Sequence, residues 1–151
     1  PARVIGCNNN SALIWCNRLQ TIILEPVTPY EGTIIVTSDD VRWALDQVHS
    51  SRFKCMLDLA APFTCGEPIC SYFEKMGEDV KHIHFVDCEK ASEDHLIPGD
   101  GEMDFPRIVS YLKEIGYDGY LSLELFSRYA NEPAFSAERG YKVIRNLLDE
   151  N

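Results

Sequence analysis

The stretch TIILEPVTPYE, residues 21–31, decides how this chain folds. The apolar run from Thr21 to Leu24 is typical of a short buried strand, and Glu25 follows it at once. Pro26 and Pro29 cannot donate to a strand ladder, so the strand has to end there. A carboxylate therefore stands where an apolar strand stops. It is either the first polar residue of a loop or a side chain held in place for chemistry.

The same pattern occurs four times along the chain. An apolar run of strand length is followed each time by a segment whose apolar residues have helical spacing. Strands that alternate with helices in this way are typical of a parallel sheet, so the fold class is predicted to be α/β. Residues 1–20 do not fit this rhythm and are predicted to be an irregular N-terminal segment. The four apolar runs are TIILEP (21–26), FKCMLDLA (53–60), VKHIHFVD (80–87) and GYLSLELF (119–126).

A polar residue lies at or near the end of each apolar run. These residues are Glu25, Asp58, His84 and Glu124. The carboxyl ends of parallel strands open onto one face, so we expect the four side chains to converge. Three carboxylates and one imidazole suit a divalent cation that prefers oxygen, with Mn²⁺ first and Mg²⁺ or Co²⁺ as alternatives. Taken singly, each residue is also an ordinary helix cap, loop residue or hydrogen-bonded core histidine.

The long polar segment after the third run also carries candidate residues. Asp87 and His95 precede a Pro-Gly-Asp-Gly turn at residues 98–101. We expect this turn to lie at the mouth of the site, beside both residues. Glu31 follows Glu25 by six residues. All three are predicted substrate contacts, because binding residues concentrate on loops above a rigid scaffold. The alternative for Asp87 and His95 is a solvated loop with common turn chemistry, and the alternative for Glu31 is an ordinary acidic residue that precedes a helix.

Composition excludes several classes of partner. A formal net charge of −10 argues against nucleic acid and against an anionic membrane surface. No apolar run approaches the roughly 20 residues that span a bilayer, and the first residues do not form a signal-peptide pattern. The six cysteines lie at irregular spacings without a CxxC pair. Such cysteines indicate free thiols, and hence a cytoplasmic location.

An ordered set of motifs resembles a known family. LEPVTPYE (24–31), MLDLAAPF (56–63), VKHIHFVD (80–87), HLIPGDGEMDF (95–105) and GYDGYLSLELF (116–126) are similar to the sugar phosphate isomerase/epimerase family, which has the xylose-isomerase-like TIM barrel. Within the family, the motifs are similar to those of the fructoselysine 3-epimerases. The resemblance implies a (β/α)8 barrel, of which residues 21–151 are expected to form the C-terminal half.

The resemblance also implies an activity and residue roles. Glu25, Asp58, His84 and Glu124 would coordinate one divalent metal ion, and Glu25 and Glu124 would also act as the acid/base pair. Glu31 would contact a small-molecule sugar near its carbonyl end. The implied enzyme is a sugar epimerase or isomerase that abstracts a proton next to a ketose carbonyl through an enediolate, with fructoselysine-like or ketose substrates expected for a 3-epimerase. The alternatives are an aldose–ketose isomerase, an inosose-dehydratase-like enzyme, or an inactive barrel fragment that serves as a binding module.

Four βα units are too few for a closed barrel, which takes about 250 residues. Either the sequence is a piece of a longer protein, or it is a natural half-barrel whose open sheet edges pair with a partner. The expected assembly is a homo-oligomer, or a barrel completed by a missing N-terminal half.

Overall fold

The computed structural model describes residues 21–92 and 94–150 of the chain. The predicted irregular segment 1–20 lies outside the described residues. The elements in chain order are β1 (Ile22–Leu24), α1 (Ser38–Gln47), β2 (Phe53–Asp58), α2 (Ala60–Cys65), α3 (Cys70–Met76), a 3₁₀ turn (Gly77–Asp79), β3 (Val80–His84), α4 (Phe105–Glu114), β4 (Tyr120–Ser122), a second 3₁₀ turn (Ser127–Tyr129) and α5 (Pro133–Glu150).

The four strands form one parallel sheet in the order β1-β2-β3-β4. The predicted α/β class and the repeated βα units are therefore confirmed. The register between β2 and β3 shifts by one residue next to Cys55 and Met56. Beyond this shift Asp58 lies directly opposite His84, and His84 in turn lies opposite Ser122. The register thus places the polar ends of the inner strands in one row.

The hydrophobic core lies on one face of the sheet, between the strands and the helices. Successive residues of a strand point to opposite faces. Cys55 and Leu57 of β2 and Ile83 of β3 point into the core, and each is fully buried. Asp58 and His84 have the opposite orientation and lie on the other face of the sheet, away from the core.

The helices begin and end where local chemistry requires. Thr37 caps α1, and its hydroxyl and backbone amide exchange hydrogen bonds with Asp40 in a capping box. Asp104 caps α4 by accepting a hydrogen bond from the Arg107 amide. Sequence patterns did not predict α2, which follows directly after β2 and is only six residues long.

The two outer strands are short and expose apolar residues. Ile22 of β1 is 59% exposed, and Tyr120 of β4 is 65% exposed. Each outer strand has hydrogen-bonded neighbours on one side only within the described residues. Across the described ranges, no helix combines the length and the apolar character needed to cross a bilayer.

Candidate metal centre

Four side chains from four strand ends meet at one point. Glu25 follows β1 directly, Asp58 ends β2, His84 ends β3, and Glu124 lies two residues beyond β4. Each offers one ligand atom, and these four atoms lie within 4.8 Å of one another. The predicted convergence therefore occurs, because the sheet is parallel and all its carboxyl ends open onto the same edge.

The imidazole of His84 is the centre of the cluster. Its Nδ1 lies 2.9 Å from Glu25 Oε1, 3.1 Å from Asp58 Oδ2 and 3.0 Å from Glu124 Oε2. One ring nitrogen carries at most one proton, so it cannot satisfy three carboxylates at once. Burial lowers the pKa of His84, but the hydrogen bonds and charges of the surrounding carboxylates outweigh it and raise the pKa to about 10.

Asp58 is the buried anchor of the cluster. Its Oδ1 accepts a hydrogen bond from the Ala60 amide at 2.8 Å, and its Oδ2 lies 2.9 Å from His95 Nε2. Burial raises the pKa of Asp58, but hydrogen bonds from His84 and His95 exceed that effect and hold the pKa below its usual value. Asp58 therefore stays ionised in the interior.

The four side chains differ in access to solvent. Asp58 is 4% exposed and His84 is 15% exposed, whereas Glu25 and Glu124 are 41% and 43% exposed. The inner strands thus supply the buried groups. The outer strands supply the two carboxylates that an incoming molecule can reach.

The donor set fits a divalent cation. Three carboxylate oxygens crowd around one imidazole nitrogen, and their mutual repulsion is relieved by a positive charge placed between them. Ligand sets of carboxylate oxygens and one imidazole suit Mn²⁺, Mg²⁺ or Co²⁺. They differ from the thiolate-rich sets that are typical of structural zinc sites. The side chains of Glu25, Asp58, His84 and Glu124 could hold such an ion in the positions where the structure places them.

Two of the three predicted substrate contacts border the cluster. His95 is almost completely buried and contacts Asp58 through Nε2, while its Nδ1 has no hydrogen-bond partner in the described structure. Glu31 accepts a hydrogen bond from the Thr28 amide at 3.1 Å. Burial lowers the pKa of His95, but the charges of Asp58, Glu124 and Glu31 help to raise it above its usual value. Glu31 therefore lies within electrostatic reach of His95.

The third predicted substrate contact, Asp87, has a different environment. It is fully buried, and its carboxylate accepts hydrogen bonds from backbone amides of the loop that follows β3. The structure does not bring this side chain to the surface of the cluster. Both of its oxygens accept amide hydrogen bonds from the loop that carries His95.

Two neighbours of the site had no sequence signal. Ser122 hydrogen-bonds to His82 at 2.6 Å, and the edge of the Phe126 ring packs against His95 with a centroid distance of 3.9 Å. Both lie in the fourth apolar run, where Glu124 alone stood out by its charge. Only the parallel register, which places His82 beside β4, reveals the Ser122 contact.

Comparison with known proteins supports these observations. A family model described as "Xylose isomerase-like TIM barrel" matches residues 10–147. A fructoselysine 3-epimerase of Escherichia coli O157:H7 is 41% identical over 130 residues, which cover 86% of this chain and 47% of the relative. An inosose dehydratase of Lacticaseibacillus casei is 26% identical over 110 residues, or 62% of this chain and 37% of the relative.

A solved structure shows the same fold. The crystal structure of the IolI protein with a bound zinc atom matches with a TM-score of 0.73 and 24% identity, over 86% of this chain and 49% of that chain. The chain thus spans about half the length of the relatives it matches. By the extent of the family match and the identity to its relatives, the chain belongs to the xylose isomerase-like TIM barrel family.

Proposed function

We propose that the protein is a metal-dependent sugar epimerase or isomerase, and that it removes and returns a proton next to a ketose carbonyl. One observation carries the proposal. Nδ1 of His84 lies about 3 Å from carboxylate oxygens that come from three different strand ends. Such a cluster supplies both a cation site and carboxylates positioned to exchange protons.

Glu25, Asp58, His84 and Glu124 would hold one divalent metal ion, with Mn²⁺ as the first candidate and Mg²⁺ or Co²⁺ as alternatives. The zinc atom in the IolI structure supports a divalent ion in this fold. When bound, the ion supplies positive charge that stabilises the anion formed as the proton leaves the carbon next to the carbonyl.

Glu25 and Glu124 are proposed as the acid/base pair. They follow the first and the last strand of the sheet, which flank the inner pair of strands. Epimerisation needs one group to remove a proton from one face of the sugar and another to return it to the other face. Their partial exposure allows contact with a substrate. The buried carboxylate of Asp58 instead contacts His84 and His95 within the cluster.

The substrate proposed first is fructoselysine or a related ketose, with Glu31 and His95 as its contacts. The identity of 41% to a fructoselysine 3-epimerase favours this substrate. The formal net charge of −10 favours it as well, because an acidic protein repels a phosphorylated sugar more than a sugar that carries amino groups.

The cellular setting is also a proposal. Cys55, Cys65, Cys70 and Cys88 are free thiols in the described structure, which favours the cytoplasm. The exposed outer strands favour completion of the barrel by further strands, either from a missing N-terminal half or from another copy in a homo-oligomer.

Incubation with fructoselysine and Mn²⁺ in D₂O tests the proposal. Deuterium at C3 is expected for a 3-epimerase, and deuterium at C1 would indicate an aldose–ketose isomerase. A Glu138→Gln variant, changed on the exposed surface of α5, is the control and should exchange like the unmodified protein. Absence of exchange with every sugar tested would refute the enzyme and favour the inactive binding module.

A second candidate is an inosose-dehydratase-like reaction, favoured by the inosose dehydratase among the relatives. It begins with the same kind of proton abstraction but ends with loss of water. Mass spectrometry of an inosose incubated with the protein and Mn²⁺ distinguishes it, since dehydration lowers the product mass by the mass of one water molecule and epimerisation does not.

A further inference from the structure

The loop that follows β3 is organised by one buried carboxylate. This loop comprises residues 85–92 and 94–104 and is called the β3 loop below. Oδ1 of Asp87 accepts hydrogen bonds from the amides of Cys88 at 2.9 Å and Met103 at 3.1 Å. Oδ2 accepts from the amides of Gly99 at 2.8 Å and Gly101 at 2.9 Å. Four amides from both ends of the loop thus converge on one side chain.

The close fit at Gly101 shows that the loop is built around this carboxylate. A Cβ atom added at Gly101 would lie 2.5 Å from Oδ1 of Asp87 and 2.7 Å from the carbonyl oxygen of Cys88. Any side chain at position 101 would therefore displace the carboxylate or the loop. Backbone amides stabilise the buried charge here, because hydrogen bonds to an ionised acceptor are stronger than neutral ones.

The same loop brings His95 to the metal centre. Asp87 and Leu96 exchange two backbone hydrogen bonds of 2.8 and 2.7 Å in an antiparallel bridge. His95 immediately precedes Leu96, and its Nε2 lies 2.9 Å from Asp58 Oδ2. Nδ1 of His95 has no hydrogen-bond partner in the described structure, so Nε2 makes the hydrogen bond of the ring and Phe126 packs against it. The path of the loop delivers the ring to these two contacts.

We propose that Asp87 is a positioning residue, whose carboxylate folds the β3 loop so that His95 reaches Asp58. This role rests on the proposed function, because it acts on a ligand of the metal centre. Asp87 does not contact the substrate in this role, since it is fully buried and both of its oxygens accept backbone hydrogen bonds. Removal of groups that orient a metal ligand without binding the metal typically lowers metal affinity by about 10- to 100-fold.

The first test follows the loop and His95 without any metal. In Asp87→Asn one acceptor becomes a donor that faces backbone donors, so the amides of Gly99, Gly101 and Met103 should exchange with D₂O at least about tenfold faster. The His95 Nε2 proton should lose its protected NMR signal. Amides of β2 and β3 should keep their rates. Unchanged loop exchange, or a retained His95 signal, would overturn the proposal.

Asp104→Asn is the matched control. It makes the same chemical change at the end of the same loop, where the carboxylate accepts one amide hydrogen bond as a helix cap. Asn caps helices as well as Asp does, so this variant should behave like the unmodified protein. If Asp87→Asn fails to fold, Gly101→Ala presses on the same carboxylate and is expected to release the same amides and the same His95 signal.

The second test is a double-mutant cycle with Mn²⁺ as the probe. Asp87→Asn and His95→Asn should each weaken Mn²⁺ binding by about 10- to 100-fold. The double variant should bind Mn²⁺ with about the same affinity as the single variant that binds it less tightly. The reason is that both changes interrupt the same link from Asp87 through His95 to Asp58. Independent, multiplying effects would overturn the proposal. If the unmodified protein does not bind Mn²⁺ at all, the proposed function fails, and the exchange test alone then decides the role of Asp87.

Discussion

The two inner strands and the two outer strands contribute to the same cluster in different ways. β2 and β3 have neighbours on both sides and end in Asp58 and His84, which are largely buried. β1 and β4 are three residues long and are followed by Glu25 and Glu124, whose side chains are more than two-fifths exposed. The sheet thus places fixed groups at its centre and accessible groups at its margins.

This difference matches two demands of the proposed metal-dependent reaction. Binding an ion requires ligands whose positions are fixed, which suits the buried inner pair. Moving a proton requires a group that a substrate can reach, which suits the partly exposed outer glutamates. Changes at the inner and outer positions should therefore affect different measurements.

The largest effect is expected at the outer positions. Glu25→Gln and Glu124→Gln should each lower kcat by about 10²- to 10⁴-fold, because glutamine cannot accept or return the proton. Mn²⁺ should still bind, since the inner ligands and an amide oxygen remain. Steady-state kinetics and a Mn²⁺ titration check both parts. If both variants keep near-normal turnover, the outer pair has no catalytic role.

The next effect concerns stability. Leu57→Ala in β2 removes a fully buried side chain and should lower the free energy of unfolding by about 2–5 kcal/mol. Ile23→Ala in β1 changes a partly exposed residue and should cost less than about 1 kcal/mol. Urea unfolding of both variants measures the difference. An equal loss at Ile23 would show that this face of β1 is covered in solution by further protein.

Metal affinity should depend on the inner carboxylate. Asp58→Asn should weaken Mn²⁺ binding on the order of 100-fold, because it removes a charged ligand and the partner of two histidines. Asp79→Asn is the matched control: it lies before β3, at the opposite end of the sheet, where it pairs with Lys54. Calorimetric titration should show normal affinity for the control, and equal losses in both variants would contradict the assignment.

The smallest expected effect is the change in ion affinity that a shift of one pH unit causes. His84, with its pKa raised to about 10, carries a proton at neutral pH in the metal-free protein. An ion must displace that proton, so affinity should rise about tenfold per pH unit until the pH approaches 10. Calorimetry in buffers with different ionisation enthalpies should report about one proton released per ion. A pH-independent affinity would exclude His84 as a ligand.

Much of the fold and the centre of the site was predictable from the sequence. Each apolar run ends near a polar residue, and parallel strands bring their ends to one edge, so the convergence of Glu25, Asp58, His84 and Glu124 followed from pattern alone. The motif resemblance also identified the family correctly. These features rest on apolar runs and on helical spacing, both of which can be recognised in the sequence itself.

Features that depend on loop geometry were not predictable. Asp87 and His95 were expected together at the substrate, but a carboxylate that accepts amide hydrogen bonds looks the same in a sequence as one that faces a ligand. The helix α2 was missed because six residues show no clear period. Thr37 caps α1, and the pattern could not single it out because the neighbouring Ser38 and Asp39 are equally good capping residues.

The contact between Gly101 and Asp87 has a consequence for protein engineering. A longer or differently shaped loop could be grafted above this sheet to change what the protein binds. Such a loop would still have to supply four amide donors to the Asp87 carboxylate, and a residue without a side chain beside it. Positions 87 and 101 should therefore be exchanged as a pair or kept as a pair. Randomising position 101 alone should disturb this loop in most variants, because any added side chain meets the carboxylate of Asp87.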